Sequence, residues 1–218
     1  LKVGKFTITP GFSLHSYGNN NTQFGQKFKD NFFKIMPDFE TRVQFKNSES
    51  LTLRYDMQNQ FTDITKLAQG LVLNNFSNIQ FGEPELQNAL SHNLSLLYSS
   101  FNLFNYTNVF ARLAYSKNID QIRNITSFEN VISTNTFFNS NFADESATAF
   151  GRIQRTFGKL IASVNLSFNY SKINQLIDSR RSVNTGFTRS YTPRLRTNFK
   201  KAPNISLKYK YTVSINNQ

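Results

Sequence analysis

Two short patterns, Asp38-x-Glu40 and Arg54-x-Asp56, put carboxylates and a cation at alternate positions, an arrangement that could serve acid–base hydrolysis. Both lie in stretches where polar and apolar residues alternate, so each pair projects from one side of its own strand. Salt bridges with Arg42 and Arg54 are the simpler account. His15 and His92 are the only histidines, far apart and without a cysteine or acidic ligand pattern nearby, so no metal site is expected. With no cysteine, thiol nucleophiles, thiolate metal sites and disulfides are excluded. Gly11-Phe12-Ser13-Leu14-His15 lacks the second glycine of a nucleophile elbow. Phosphate-loop and dinucleotide glycine motifs are absent. The expectation is a protein with no catalytic residues and no cofactor, and therefore not an enzyme. Its candidate ligand-facing residues are Asp38, Glu40, Arg42, Arg54, Asp56, Arg112, Arg194, Arg196, Lys208 and Lys210, each opposite an apolar neighbour.

The elements that carry these residues have a period of two. In 6–14, Phe6, Ile8, Pro10, Phe12 and Leu14 share a face. Phe39, Thr41, Val43 and Phe45 alternate with Asp38, Glu40, Arg42 and Gln44; Leu51, Leu53, Tyr55 and Met57 alternate with Thr52, Arg54, Asp56 and Gln58. The pattern returns in 92–100, in 108–116, and weakly in 146–156, where Ala147, Ala149 and Gly151 make a small-residue face. It is most regular in 160–170 and resumes in 183–199 and 205–213. This predicts about nine strands of roughly 9–13 residues, longer than the usual five or six and matched to a tilted membrane crossing.

The predicted connections alternate in length. Short ones fall near 47–50, 102–105, 157–159 and 200–204; long ones near 18–33, 61–90, 118–145 and 171–182. Outer-membrane barrels have this asymmetry, with tight periplasmic turns and long extracellular loops, whereas a Greek-key sandwich has no reason to produce it. In the 61–90 connection, Gly82 and Pro84 are expected to punctuate the chain, glycine by permitting φ > 0 and proline by fixing φ.

Composition agrees. Of 218 residues, 39% are hydrophobic, yet 15% are aromatic, with 23 Phe and 9 Tyr; mean hydropathy is −0.44. A barrel wall needs an apolar residue only at every second position and carries aromatic girdles, which gives this balance. Tyr98, Tyr115, Tyr170 and Tyr209 fall on the apolar face, where interface anchoring is the expected role. The net charge of +12 is scattered along the chain without a basic arm or an RNA- or DNA-binding motif, so nucleic acid is not an expected partner. No apolar run approaches the length of a membrane helix. Residues 1–5 carry neither a basic n-region nor an apolar h-region, which fits a mature chain or one cut from something larger.

Between Tyr55 and Phe101 the sequence resembles the barrel region of TonB-dependent outer-membrane receptors, especially the branch with carboxypeptidase-regulatory-like N-terminal domains. The matching residues are Tyr55, Leu67, the stretch Asn78-Ile79-Gln80-Phe81-Gly82-Glu83-Pro84-Glu85-Leu86, and Ser91-His92-Asn93-Leu94, in about a fifth of the chain. Glu83 stands where that family commonly has Asn, and Thr62 near a common Pro. The resemblance implies a single partial barrel domain over 1–218, without the plug and the remaining strands of a barrel of about 22. It also implies an outer-membrane location, contact with outer-membrane lipid, and energy coupling through TonB by regions lying elsewhere. The implied function is uptake of a scarce nutrient: a metal chelate, glycan or peptide. The runner-up expectation is a non-transporting surface or adhesive β protein whose basic face binds acidic glycans.

Overall fold

Alternation of β-branched, aromatic and polar residues favours extended chain, and nearly all of this chain is extended. A computed structural model describes residues 1–177 and 180–217. The strands are β1 (Lys2–Val3), β2 (Phe6–Gln23), β3 (Gln26–Lys46), β4 (Glu49–Gln60), β5 (Leu71–Asn75), β6 (Asn78–Phe81), β7 (Ala89–Asn102), β8 (Thr107–Ile119), β9 (Ile122–Glu129), β10 (Ile132–Asn139), β11 (Asp144–Phe157), β12 (Leu160–Ile177), β13 (Arg180–Thr197), β14 (Ser206–Lys208) and β15 (Tyr211–Asn217), with one 3₁₀ turn, Ile64–Leu67. The main sheet runs β1-β2-β3-β4-β7-β8-β11-β12-β13-β14, with β15 also on β13. Each neighbour is antiparallel, so the sheet is an up-and-down meander. β14 and β15 pair with β13 in one register and are a single ninth long strand, interrupted at Tyr209 and Lys210. Among the described residues the first and last strands do not pair with each other, so the sheet is open.

The four short connections stand where the sequence places them. Gly158 has φ +59 at the first position of the two-residue turn between Phe157 and Leu160, as a II′ hairpin requires. Two of the four long connections are different. Residues 18–33 are not a loop: β2 and β3 stay paired to Gln23 and Gln26, and the chain reverses on Phe24 and Gly25, both at positive φ. This is the I′ geometry, whose usual Asn-Gly signature is replaced here by Phe-Gly. Likewise β12 and β13 remain paired through Ile177 and Arg180, and residues 178 and 179 of the expected 171–182 loop lie outside the described residues. The strands accordingly reach 18–21 residues in β2, β3, β12 and β13. Beyond the apolar band, β2 and β3 continue as a paired hairpin.

The remaining long connections, 61–88 and 120–143, build a second sheet. Its order is β5-β6-β10-β9, and β6 and β10, one from each connection, run parallel with Ser133 opposite Asn78 and Thr136 opposite Phe81. A pair of bonds between Gln87 and Asn139 adds to the seam: Gln87 N–H donates to Asn139 Oδ1 at 2.7 Å, and Asn139 Nδ2 donates back to Gln87 O at 2.8 Å.

Toward its C-terminal strands, burial in the main sheet is inverted relative to a water-soluble protein. Along β12 and β13, Leu166 (41%), Phe168 (42%) and Tyr191 (43%) are exposed, while Ser163 (7%) and Thr192 (8%) are buried. Four of the six buried hydrophobic residues, Leu67, Leu86, Ala89 and Leu90, belong to the 61–90 segment rather than to a sheet-on-sheet core. So broad an exposed apolar face marks a surface made for a non-aqueous neighbour.

Candidate ligand-facing surface and loop assembly

In antiparallel pairing, residues directly opposite share a face. The register therefore assembles rows running across the sheet. One reads Gly11, Asp38, Asp56, Asn93, Ser116, Ser146, Ser171, Gly186 and Asn216. The next, two residues along, holds Thr9, Glu40, Arg54, Ser95, Ala114, Thr148, Asn169, Thr188 and Ser214. Arg42 and Arg112 follow in one row, and Arg194 and Lys208 face each other near the turn end. Lys210, at the break between β14 and β15, keeps the same register. All ten sequence-selected residues thus fall on one face.

Their contacts refine the expected salt bridges. Arg54 Nε donates to Glu40 Oε2 at 2.9 Å, and the guanidinium and carboxylate form a solvent-accessible ion pair. Arg42 forms no ion pair among the described residues. Asp56 instead accepts from Gln58 Nε2 at 2.9 Å and Asn93 Nδ2 at 3.1 Å, and Asn93 Oδ1 accepts from Ser116 Oγ at 2.9 Å. A hydrogen-bonded string therefore crosses β4, β7 and β8. Arg194 Nε donates to Ser206 Oγ at 3.0 Å.

The same face carries residues absent from the sequence selection. Arg152 belongs to it and donates to Gln154 Oε1 at 2.7 Å. So do Phe110 and Phe150, whose rings lie 6.0 Å apart; they interrupt the polar alternation, which hid them. With Arg152 included, the ten residues become eleven: three carboxylates, on β3 and β4, and eight cations, four of them on β13 and in the β14–β15 region. The face is therefore polarised along the sheet as well as basic.

The opposite face is the apolar band. Its central row holds Ile8, Thr41, Leu53, Leu96, Leu113, Ala149, Phe168, Arg189 and Val213. Tyr55, Tyr115 and Tyr170 share the next row toward the loops; Tyr98, Tyr191 and Tyr211 share the next row toward the turns. Beyond the loop-side tyrosines the band ends in His92, Lys117, Glu145 and Lys172. Tyr115 Oη donates to Glu145 Oε2 at 3.2 Å, and Tyr55 Oη bonds His92 Nδ1 at 2.8 Å. His15 sits on the polar face, bonded to Ser13 Oγ at 3.0 Å, so the two histidines are not brought together.

At the loop end, residues 61–88 fold over the polar face. Gln23 clamps them, donating to Leu67 O at 2.9 Å and accepting from Gln69 N at 2.6 Å. Gly82 serves close approach rather than positive φ: its N–H donates to Ala68 O at 2.9 Å, and a Cβ there would lie 2.4 Å from Lys66 O and 2.5 Å from Ala68 O. The loop's 3₁₀ turn is capped by Asp63, which accepts from Thr65 N and Thr65 Oγ1, both at 3.0 Å. The backbone N–H above all, then the hydroxyl, holds the Asp63 carboxyl below its ordinary pKa.

The 120–143 connection is anchored by a polar knot. Arg123 Nη2 meets Asp144 Oδ1 at 2.6 Å and its Nε donates to Ser140 Oγ at 2.9 Å. Asp144 Oδ1 also accepts from Asn174 N at 2.8 Å, and Arg181 Nη2 donates to Asn174 Oδ1 at 2.7 Å. Arg181 further covers the Phe142 ring at 4.3 Å.

This organisation has counterparts. The family model described as "Outer membrane protein beta-barrel family" matches residues 2–218. A comparison with curated proteins finds no match. Among solved structures, a double mutant of the Serratia marcescens hemophore receptor HasR, in complex with its hemophore HasA and heme, superposes with a TM-score of 0.55 at 12% identity. The match covers 95% of this chain and 41% of the HasR chain, so this chain spans less than half the length of that receptor. A meander of long strands with a charged polar face and, opposite it, an exposed apolar band edged by tyrosines has one common explanation in lipid. The chain belongs to the outer membrane protein β-barrel family and is an outer-membrane β-barrel segment.

Proposed function

We propose that this chain is a length of wall from a TonB-dependent receptor that takes up a scarce nutrient, with its polar face turned to a water-filled lumen. The broad exposed apolar face of the main sheet is the observation that carries this reading. Asp38, Glu40, Arg42, Arg54, Asp56, Arg112, Arg194, Arg196, Lys208 and Lys210 line that lumen, joined by Arg152. Nine long strands fall short of the roughly 22 of such transporters, and strands supplied from outside this sequence pair with both open edges. Those other regions contact TonB. The loop end, with its second sheet and the 61–88 segment folded over the polar face, meets the ligand outside the cell, since loops held on a rigid scaffold carry recognition. A soluble adhesive protein would leave the Leu166, Phe168 and Tyr191 face in water, against the usual limit on exposed apolar patches.

The test is fractionation of cells expressing the native full-length gene, followed by protease shaving of intact cells. Recovery in the outer membrane, with cuts confined to 61–88 and 120–143, is the expected result. Soluble recovery, or cuts at 47–48 and 198–205, contradicts it.

A further inference from the structure

The polar face carries one aromatic pocket where the 61–88 segment crosses the β2–β3 hairpin. Tyr17 and Phe32 are cross-strand partners on that face, with rings 5.0 Å apart. Phe61 meets Tyr17 edge-on at 4.8 Å and stays 65% exposed at the rim. The cavity they bound has a volume of about 230 Å³, floored by Leu67 and Leu86 and edged by Asn19, Thr62 and Asn88.

We propose that this pocket is a subsite for one ring of a neutral sugar, at the end of a glycan presented to the receptor. The proposal rests on the receptor reading above. Size, charge and polarity each narrow the ligand. Drug-sized ligands occupy roughly 300–1,000 Å³, so this pocket takes a single ring-sized group and excludes a tetrapyrrole. Its lining holds no formal charge, and Lys34 lies over the Phe32 ring at 5.8 Å. A phosphate, carboxylate or anionic chelate would meet no charged side chain in the cavity lining itself, Lys34 being held on the Phe32 ring rather than lining the cavity. Finally, aromatic faces are electron-rich and attract the partly positive C–H face of a sugar ring, while its hydroxyl edge meets the amides of Asn19 and Asn88 at the rim. Asn88 Oδ1 accepts from Thr62 N at 3.4 Å, leaving the amide nitrogen to donate. A purely aromatic ligand would strip water from Asn19 and Asn88 without replacing its hydrogen bonds. The clamp from Gln23 holds both walls in place before a ligand arrives.

The experiment uses the full-length receptor in detergent and a panel of neutral linear hexasaccharides of the gluco, galacto and manno series. Saturation-transfer NMR and calorimetric titration read the binding. At least one series is expected to bind, with transfer strongest at ring C–H protons. Phe61→Ala should weaken it at least tenfold, while Phe104→Ala, at an exposed turn-end aromatic, should leave it unchanged. Absence of binding across the panel, or equal binding by Phe61→Ala, overturns the subsite. If the protein is still recovered in the outer membrane in either case, the receptor reading survives; soluble recovery is the separate failure of that reading.

Discussion

Arg123 and Asp144 form the most shielded ion pair among the described residues, 2.6 Å apart with side chains only 10% and 14% exposed. The contact joins the strand that opens the 120–143 hairpin to the first residue of β11, and Asn174 on β12 completes it. Breaking one side of such a pair strands the other charge away from water, a loss of about 3 kcal/mol. Arg123→Ala should therefore release the hairpin locally. Hydrogen exchange at 120–143 is expected to rise while β11 and β12 stay protected. The exposed Arg54–Glu40 pair has no such environment, and Arg54→Ala should leave exchange unchanged across its strands.

Gly82→Ala tests the close approach of two backbones. The new methyl would meet Lys66 O and the Ala68 backbone, none of which can swing away. Loss of the Gly82 N–H to Ala68 O and Glu83 N–H to Lys66 O bonds should cost about 2 kcal/mol and open the 61–88 segment to protease. Gly151→Ala is the control, because nothing lies within 4 Å of its Cβ position.

Arg189 stands in the central apolar row between Phe168 and Val213. A lipid-facing arginine costs about 2–4 kcal/mol at the bilayer midplane and less toward its edges. Arg189→Leu should therefore raise the urea midpoint of the barrel in lipid vesicles. An unchanged or lowered midpoint would mean that this side chain does not face lipid.

Asp63 gives the loop a pH response. Its carboxyl titrates below the ordinary carboxylate range, so its stabilisation is complete above about pH 4. That contribution is lost as pH falls through the lowered value. Protection of the Thr65 amide, relative to its intrinsic exchange rate at each pH, should fall on acidification, and Asp63→Asn should abolish the acid step while keeping a capping oxygen.

Period-two alternation gave away the strands, their faces and the turn ends, because lipid on one side and water on the other impose that pattern residue by residue. It failed where neither applies. Asn19, Asn20, Asn21 and Asn31 read as loop because asparagine is depleted in strands, yet beyond the membrane a hairpin needs no apolar face. The β6–β10 pairing and the Arg123–Asp144–Asn174 knot join residues 21 or more apart in sequence, and no local pattern announces them. Arg152 went unnoticed beside the small-residue face of β11, and the Tyr17–Phe32–Phe61 pocket because aromatics on a polar face break the alternation being sought.

The central claim is that alternate residues of one strand meet lipid and water. The chain contains no cysteine, so single-cysteine variants at Leu166, Phe168 and Tyr170, and at Ser167, Asn169 and Ser171, are unambiguous reporters if the full-length protein is also cysteine-free or made so. They would be expressed in the full-length protein in outer membranes and treated with a water-soluble maleimide. The account predicts labelling at the three polar positions and protection at the three apolar ones. Labelling of Leu166, Phe168 and Tyr170 with protection of the others, or equal labelling of all six, would contradict it.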